Sequence, residues 1–273
     1  MVAESKVGQR SLLTRRETSQ ILLLHCRLSS AKTAPAMKIL FVYARLYVEC
    51  LRKAAAGIRK NPWTLLLPIV LLPAFFIIGA LLWPLGFVGG ILMVFVRAAL
   101  ISCYLYFTGE VVSQSRVRIS EFGRSIGTYL WSVVNLYFVL WIATFLLNLA
   151  LRTNPRIAYL SEQLFSLASL ILLNPAPEII YLRGTYGGMA TVQRSVAFVQ
   201  QNWIEWFAPN LPLAALAYLV RDILYPAYTL TPLIAAIPIG ALFQLAMVFR
   251  GHLFLALDGS THRQRMFRYR SPT

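Results

Sequence analysis

Residues 63–107 read WTLLLPIVLLPAFFIIGALLWPLGFVGGILMVFVRAALISCYLYF, with Arg97 the one charged residue among them. A helix needs roughly 20 consecutive apolar residues to cross the hydrocarbon core of a bilayer. The stretch holds two such runs, Trp63 to Trp83 and Phe87 to Phe107, joined by the short turn Trp83-Pro84-Leu85-Gly86. Pro68 and Pro73 interrupt the first run, and helices in membranes tolerate such breaks where neighbouring groups satisfy the freed backbone. The pattern predicts a hairpin of membrane spans.

Working outward, four more apolar runs follow: Tyr129 to Leu151, about Ile157 to Leu182, about Phe207 to Val220, and about Leu230 to Leu257. The fifth is the shortest, and Asn174, Pro175 and Pro177 interrupt the fourth. The chain as a whole is 58% hydrophobic and 13% charged. Soluble domains carry about 45–50% apolar and about 25% charged residues, so a single aqueous core could not hide this much apolar surface. The expected fold is all-α, a polytopic membrane helical bundle of about six spans over residues 38–260.

The formal net charge of +16 raises the question of nucleic acid, and the distribution of charge answers it. Twelve of the 26 Lys and Arg residues lie between Lys6 and Lys60, and five more between Arg250 and Arg270. Cations placed beside spans fix topology. The loop after the second span carries Arg116, Arg118 and Arg124, and the loop after the fourth carries Arg183 and Arg194. On the other side the first turn has none, the second has Arg152 and Arg156, and the third has Arg221. The positive-inside rule then puts both termini in the cytoplasm, which an even number of spans requires. No nucleic-acid partner is expected.

Residues 1–37 are basic and lack helical or strand periodicity. They read as a disordered basic arm or as the product of an upstream start codon, with Met37 opening the orderly part; an organellar transit peptide is a third reading. Ile21 to Leu24 is too short for the core of a signal peptide. From Lys38 to Lys60 the pattern is helical, with Ile39, Tyr43, Leu46, Cys50 and Ala54 on one stripe. That helix lies either in the membrane interface or packed on the bundle. Residues 261–273 form a basic cytoplasmic tail whose Arg263, Arg265, Arg268 and Arg270 are candidate contacts for anionic lipid. Cys26, Cys50 and Cys103 have no paired or metal-like spacing and read as inert.

Three stretches look alike: Arg59-Lys60-Asn61-Pro62-Trp63, then Phe122-Gly123-Arg124-Ser125-Ile126 followed by Trp131, then Gln193-Arg194-Ser195-Val196 followed by Asn202-Trp203. The tryptophans are 68 and 72 residues apart. This spacing suggests three repeats, each an interfacial helix leading into a hairpin of spans. Trp63, Trp131, Arg194 and Trp203 are the candidate interfacial anchors. In the third helix Met189, Val192, Val196, Val199 and Trp203 form an apolar stripe.

Charges inside apolar runs carry the remaining signal. Arg97 lies in the second run, Arg250 in the sixth, and Glu178 just beyond the Asn174-Pro175-Ala176-Pro177 break. A charged residue at the centre of a span costs about 2.5–3.5 kcal/mol on insertion scales and usually finds a partner. One reading joins Arg97, Glu178 and Arg250 in an intramembrane polar cluster. The other ends the fourth span at Asn174, leaving Glu178 at the cytoplasmic interface while Arg250 snorkels outward. The sequence favours the second.

The chain has no H-E-x-x-H, G-x-S-x-G or G-x-x-x-x-G-K sequence, and His25, His252 and His262 are isolated. Neither an enzyme nor a cofactor is expected. Gly184-Thr185-Tyr186-Gly187-Gly188 reads as a flexible turn.

Pro177-Glu178-Ile179-Ile180, Arg194-Ser195-Val196-Ala197-Phe198-Val199, Asn202-Trp203 and Arg59-Lys60-Asn61-Pro62-Trp63 together follow one pattern. It resembles that of the six-span membrane domain accompanying glycerophosphodiester phosphodiesterases, shared by a group of bacterial inner-membrane proteins. The resemblance implies an architecture over about residues 38 to 260 and an inner-membrane address, without an activity; no phosphodiesterase domain is present. The expectation is a non-catalytic inner-membrane protein that organises the membrane or scaffolds partners. A small-solute transporter or lipid-handling protein is the alternative. Its expected partners are membrane lipids and a membrane protein or further copies of itself.

Overall fold

A computed structural model describes residues 41–113, 116–184, 187–224, 231–260 and 264–265, and all regular structure among them is helical. We label the helices α1 (41–60), α2 (Leu67–Leu82), α3 (Gly86–Val112), α4 (Phe122–Thr128), α5 (Leu130–Ala150), α6 (Pro155–Leu172), α7 (Ala176–Arg183), α8 (Gly188–Leu224) and α9 (Thr231–Leu257). Tight 3-10 turns at Pro62–Leu66, Trp83–Leu85 and Ile119–Glu121 lead into α2, α3 and α4. The chain divides into two units, Met1–Leu46 with His262–Thr273, and Tyr47–Thr261. Of the first, residues 41–46 open α1, where the Arg45 guanidinium lies 4.5 Å from the Phe41 ring centroid, and residues 264–265 are helical. The expected arm 1–37 and most of the tail lie outside the described residues.

In the larger unit α2 and α3 form an antiparallel hairpin. The Trp63 ring meets Phe107 edge-on at 5.1 Å, and a Cβ added at Gly79 would lie 3.0 Å from the Met93 side chain. Residue 63 is therefore opposite 107, and 79 is opposite 93. The reversal runs through Trp83–Leu85 and ends on Gly86, whose φ of 55° suits a residue without a Cβ.

Three helical stretches are long and apolar enough to cross a membrane: Pro62–Val112, which is this hairpin, Ile119–Ala150, and Ile237–Leu257. Arg156–Leu172 and Ala176–Arg183, bent by 41° at the break between them, make a fourth if taken together. The expected fifth run lies inside α8, which does not meet the criterion among the described residues. Glu205, Asn210, Pro209 and Pro212 at one end and Arg221 and Asp222 at the other leave little continuous apolar sequence between them.

The apolar side chains of these helices point outward in number. Phe76, Leu81, Phe87, Phe138, Trp141, Phe145, Leu160 and Leu164 are all exposed. Soluble proteins rarely leave such continuous apolar patches open to water. With lipid as the solvent, the same surface is well matched. Both α3 and α9 mix small or polar buried positions (Ser102, Thr108; Gly251, Gln244) with bulky ones (Leu105, Phe107; Leu253, Phe254), which lets helices approach closely at some levels and interlock at others.

Hydrogen bonds tie one end of the bundle together. The Val117 N–H donates to Asn61 Oδ1 at 2.9 Å, the Tyr129 N–H to Ser102 Oγ at 2.9 Å, and the Tyr129 hydroxyl to the Tyr181 carbonyl at 3.2 Å. Arg183 pairs with Asp258 at the ends of α7 and α9. On α1, Leu46, Cys50, Ala54 and Ile58 are buried, and Gly57 lies so close to the Val111 carbonyl that a Cβ would be 2.9 Å from it. That stripe packs on protein, so of the two expectations for this helix the packed one describes its buried face. Ile39 lies outside the described residues.

Candidate functional site

The break between α6 and α7 follows from its sequence. Pro175 and Pro177 cannot donate to the helical ladder, so the carbonyls ending α6 and the amides opening α7 are left without intrahelical partners. Inside a bilayer such groups must be satisfied by protein. Turn bonds meet part of this demand, the Asn174 N–H donating to the Ile171 carbonyl and the Ala176 N–H to the Leu173 carbonyl. Two opposite charges stand at the break beside them. Glu178 sits in the first turn of α7, where the helix dipole favours an anion. Arg250, from α9, donates a hydrogen bond of 2.7 Å to the Asn174 carbonyl beyond the end of α6. The same guanidinium binds the Glu178 carboxylate with two hydrogen bonds, 2.8 Å from Nε to Oε1 and 3.2 Å from a terminal nitrogen to Oε2.

Both charges are sheltered. The Glu178 side chain is 0% exposed and that of Arg250 is 15% exposed. Trp206 of α8 covers the guanidinium, its ring centroid 5.0 Å from Arg250 Cζ, and its indole N–H donates to Asn174 Oδ1 at 2.8 Å. Phe198 and Phe254 flank Trp206 edge-on at 5.2 and 6.4 Å and stack on each other at 4.7 Å. Between Phe198 and Trp206 the α8 backbone breaks at Asn202, with φ −131° and ψ 22°. The Asn202 side-chain amide donates back to the Phe198 carbonyl at 3.2 Å.

Tyr181, one turn after Glu178, fills the slot between α3 and α9. A Cβ at Gly109 would come within 3.1 Å of its ring, and one at Gly251 within 2.6 Å of its hydroxyl oxygen. Glycine at 251 is what admits the tyrosine. The arrangement is a closed, charge-neutral latch holding the broken helix against α8 and α9.

The sequence-derived candidates distribute unevenly around this latch. Glu178 and Arg250 come together, whereas Arg97 lies on α3 with its guanidinium 5.0 Å from the Tyr137 ring centroid and, among the described residues, forms no ion pair with Glu178. The expectation that Arg250 snorkels outward is corrected, because its carbonyl and carboxylate partners turn it inward. Trp63 is half-buried against Phe107, while Trp131 and Trp203 are exposed at 62% and 61%. Arg194 is exposed on α8. Arg265 is buried at 4% exposure, which corrects its expected contact with lipid; Arg263, Arg268 and Arg270 lie outside the described residues. On the first half of α8 the buried face is Thr191, Ser195, Phe198, Val199 and Asn202, so Val199 alone of the expected apolar stripe is buried and Met189 and Trp203 project away.

Sequence reasoning missed Trp206 and had Asn202 only as part of the Asn-Trp motif. The spacing Phe198, Asn202, Trp206 is a helical i, i+4, i+8 row, a signal obscured by the more familiar reading of Trp203 as an anchor. Among the described residues no group of three His, Cys, Asp or Glu side chains could hold a metal ion. No protein-family model, characterised protein or solved structure matches the chain.

Proposed function

We propose that the chain is a non-catalytic integral membrane protein of six spans, with both termini cytoplasmic, that organises the bacterial inner membrane or scaffolds a partner within it. The observation that carries this reading is the closed latch. The charges most able to line a polar path, Glu178 and Arg250, are bonded to each other and to Asn174, and Trp206 covers them. A solute transporter needs a polar route through the bundle. Arg97 does not extend one from Glu178, and many large apolar side chains, Trp83, Phe87 and Trp141 among them, face outward, where a membrane partner or lipid would meet them.

Six spans are supported by the arrangement of helix ends. The α2–α3 hairpin returns residue 107 beside residue 63, and the Arg183–Asp258 pair sets the end of α7 beside the end of α9. The spans in this reading are α2, α3, α5, α6 with α7, the second half of α8, and α9. Likeness between the first and third of the expected repeats is supported by a shared junction. Asn61 and Asn202 each leave helical geometry, with φ near −130°, and each donates its side-chain amide to the carbonyl four residues back, Gly57 and Phe198. A tryptophan follows each, Trp63 and Trp203. The exposed Met189 and Trp203 suit a helix lying in the interface with its apolar edge toward lipid.

Native mass spectrometry of the full chain, extracted gently from its own membrane, tests the role. A defined oligomer or a stoichiometric protein partner is expected. A monomer that retains one polar solute instead would overturn the scaffolding reading in favour of transport. Reporter fusions in the turns at 83–86 and 151–155 and after residue 260 test the topology. The first two are expected outside the cytoplasm and the third within it.

A further inference from the structure

The end of α1 and the loop after α3 meet at one hydrogen bond, from the Val117 N–H to Asn61 Oδ1, across 56 residues of sequence. That bond gathers cations. Arg59 and Lys60 immediately precede Asn61, while Arg116 and Arg118 flank Val117. Each of the four is within two residues of the bonded pair, about 7 Å of chain at most. All four are exposed, whereas Val117 between its two arginines is buried. Among the described residues the four side chains form no ion pair or hydrogen bond. We propose that this patch binds the phosphates of anionic phospholipid headgroups in the cytoplasmic leaflet. The leaflet rests on the topology proposed above, and the binding is independent of the scaffolding role.

The charge balance favours an anion. Glu110 and Glu121 are the nearest carboxylates in sequence. Glu121 lies in the turn after Arg118, to whose carbonyl its N–H donates at 3.1 Å, and its carboxylate accepts from the Tyr106 hydroxyl at 3.0 Å. Even against both acids, the four cations leave two positive charges in excess. Three of the four are arginines, whose planar guanidinium matches phosphate geometry better than an ammonium does.

The surroundings favour lipid over an acidic soluble partner. The hairpin of spans runs from Pro62 to Val112, so the cations stand just beyond the ends of both its arms. At that same end the rings of Trp63 and Phe122 both pack on the buried Phe107, at 5.1 and 6.1 Å. Phe122, Ile119 and Leu66 are exposed beside them. A tryptophan and apolar side chains at the end of a span, with cations just past them, form the pattern of a membrane–water boundary. Acyl chains cover Leu66, Ile119 and Phe122, which an acidic soluble partner would leave open.

The test is native mass spectrometry of the purified full chain with equal amounts of phosphatidylglycerol and phosphatidylcholine of matched chains. The wild type is expected to retain phosphatidylglycerol preferentially. Arg116→Gln with Arg118→Gln is expected to weaken that preference about 25-fold, at about fivefold for each cation lost. Arg59→Gln with Lys60→Gln is expected to do the same, since both pairs serve one patch. Glu121→Gln keeps an acceptor for Tyr106 and is expected to strengthen the preference, a gain that a merely destabilised protein would not show. Arg152→Gln with Arg156→Gln removes two exposed cations elsewhere and is expected to leave it unchanged. Equal retention of the two lipids by the wild type would overturn the patch, as would an equally large loss from the Arg152 and Arg156 pair. Copurification of an acidic protein that excludes phosphatidylglycerol would reassign the surface and overturn the lipid assignment. Reporter fusions that put residue 260 outside the cytoplasm would refute the leaflet, whatever the lipid preference.

Discussion

Arg250 and Glu178, 72 residues apart, meet at the break of a helix, where each charge complements the open helix end beside it. The carboxylate lies at the amide end of α7 and the guanidinium binds a carbonyl beyond the end of α6. Removing one member strands the other in a buried site, and breaking a buried pair this way costs about 3–5 kcal/mol. Glu178→Ala and Arg250→Ala are each expected to lower thermal stability in detergent sharply and to reduce accumulation in the membrane. The double variant Glu178→Gln, Arg250→Gln is expected to be more stable than the Arg250→Ala single variant, since no unpaired charge remains. Melting curves of the four purified proteins measure this. Stability of Glu178→Ala equal to the wild type would remove the latch from the account.

Tyr181 and Gly251 give a second prediction. A Cβ at 251 would lie 2.6 Å from the tyrosine hydroxyl oxygen, which has no hydrogen-bond partner among the described residues. Gly251→Ala therefore overpacks the slot, at an expected cost of about 1–3 kcal/mol. Tyr181→Phe deletes the oxygen that the new methyl meets and is expected to be nearly neutral alone. Combined with Gly251→Ala it should recover part of the loss, since the same methyl would also lie 2.6 Å from Val112 Cγ2. A double-mutant cycle on melting temperatures reads the coupling, and strict additivity of the two changes would show that the slot is not shared.

How far the sequence foretold this structure depends on the distance over which each feature is encoded. The α2–α3 hairpin is local: two apolar runs and a Trp-Pro-Leu-Gly turn within residues 63–107 determine it. The buried stripe Leu46, Cys50 and Ala54 of α1 follows from helical periodicity in the same way. The Arg250–Glu178 pair is not local. An arginine in an apolar run can snorkel or turn inward, and the choice depends on whether α7 presents a carboxylate and an open carbonyl at the right depth. The first half of α8 misled for another reason. Its most apolar stripe is not its buried one, because a helix beside lipid has two apolar environments available and hydrophobicity alone does not separate them.

Cys50 lies buried on α1, and burial first, with Glu49 adding to it, pushes its thiol up from 9.0 to about 12. The thiolate is the nucleophile, so at pH 8 the folded protein offers almost none at this position. With Cys26 replaced by Ser, the native protein is expected to resist maleimide at pH 8 and to take up label at Cys50 and Cys103 only after denaturation. The raised value also sets a stability trend. The unfolded thiol loses its proton near pH 9 while the folded one retains it, so this contribution to stability is intact below pH 9 and declines between about 9 and 12. Rapid labelling of the native protein at pH 8 would contradict the buried placement of α1.

The paired junctions at Asn61 and Asn202 make the repeat testable at single residues. Both side-chain amides donate to the carbonyl four residues earlier, at 3.3 Å to Gly57 and 3.2 Å to Phe198. Asn61 has a second task, since its Oδ1 accepts the buried Val117 N–H at 2.9 Å. Asn202→Ala forfeits one hydrogen bond, worth about 1 kcal/mol net, whereas Asn61→Ala also strands a buried donor, which adds about 1–3 kcal/mol. Asp at 61 keeps the acceptor for Val117 and is expected to recover part of the loss, while Asp at 202 has no N–H of this kind to satisfy and should not help. Melting temperatures of the four variants decide the matter. If Asn202→Ala proved as costly as Asn61→Ala, the two junctions would not share the division of labour that their geometry assigns them.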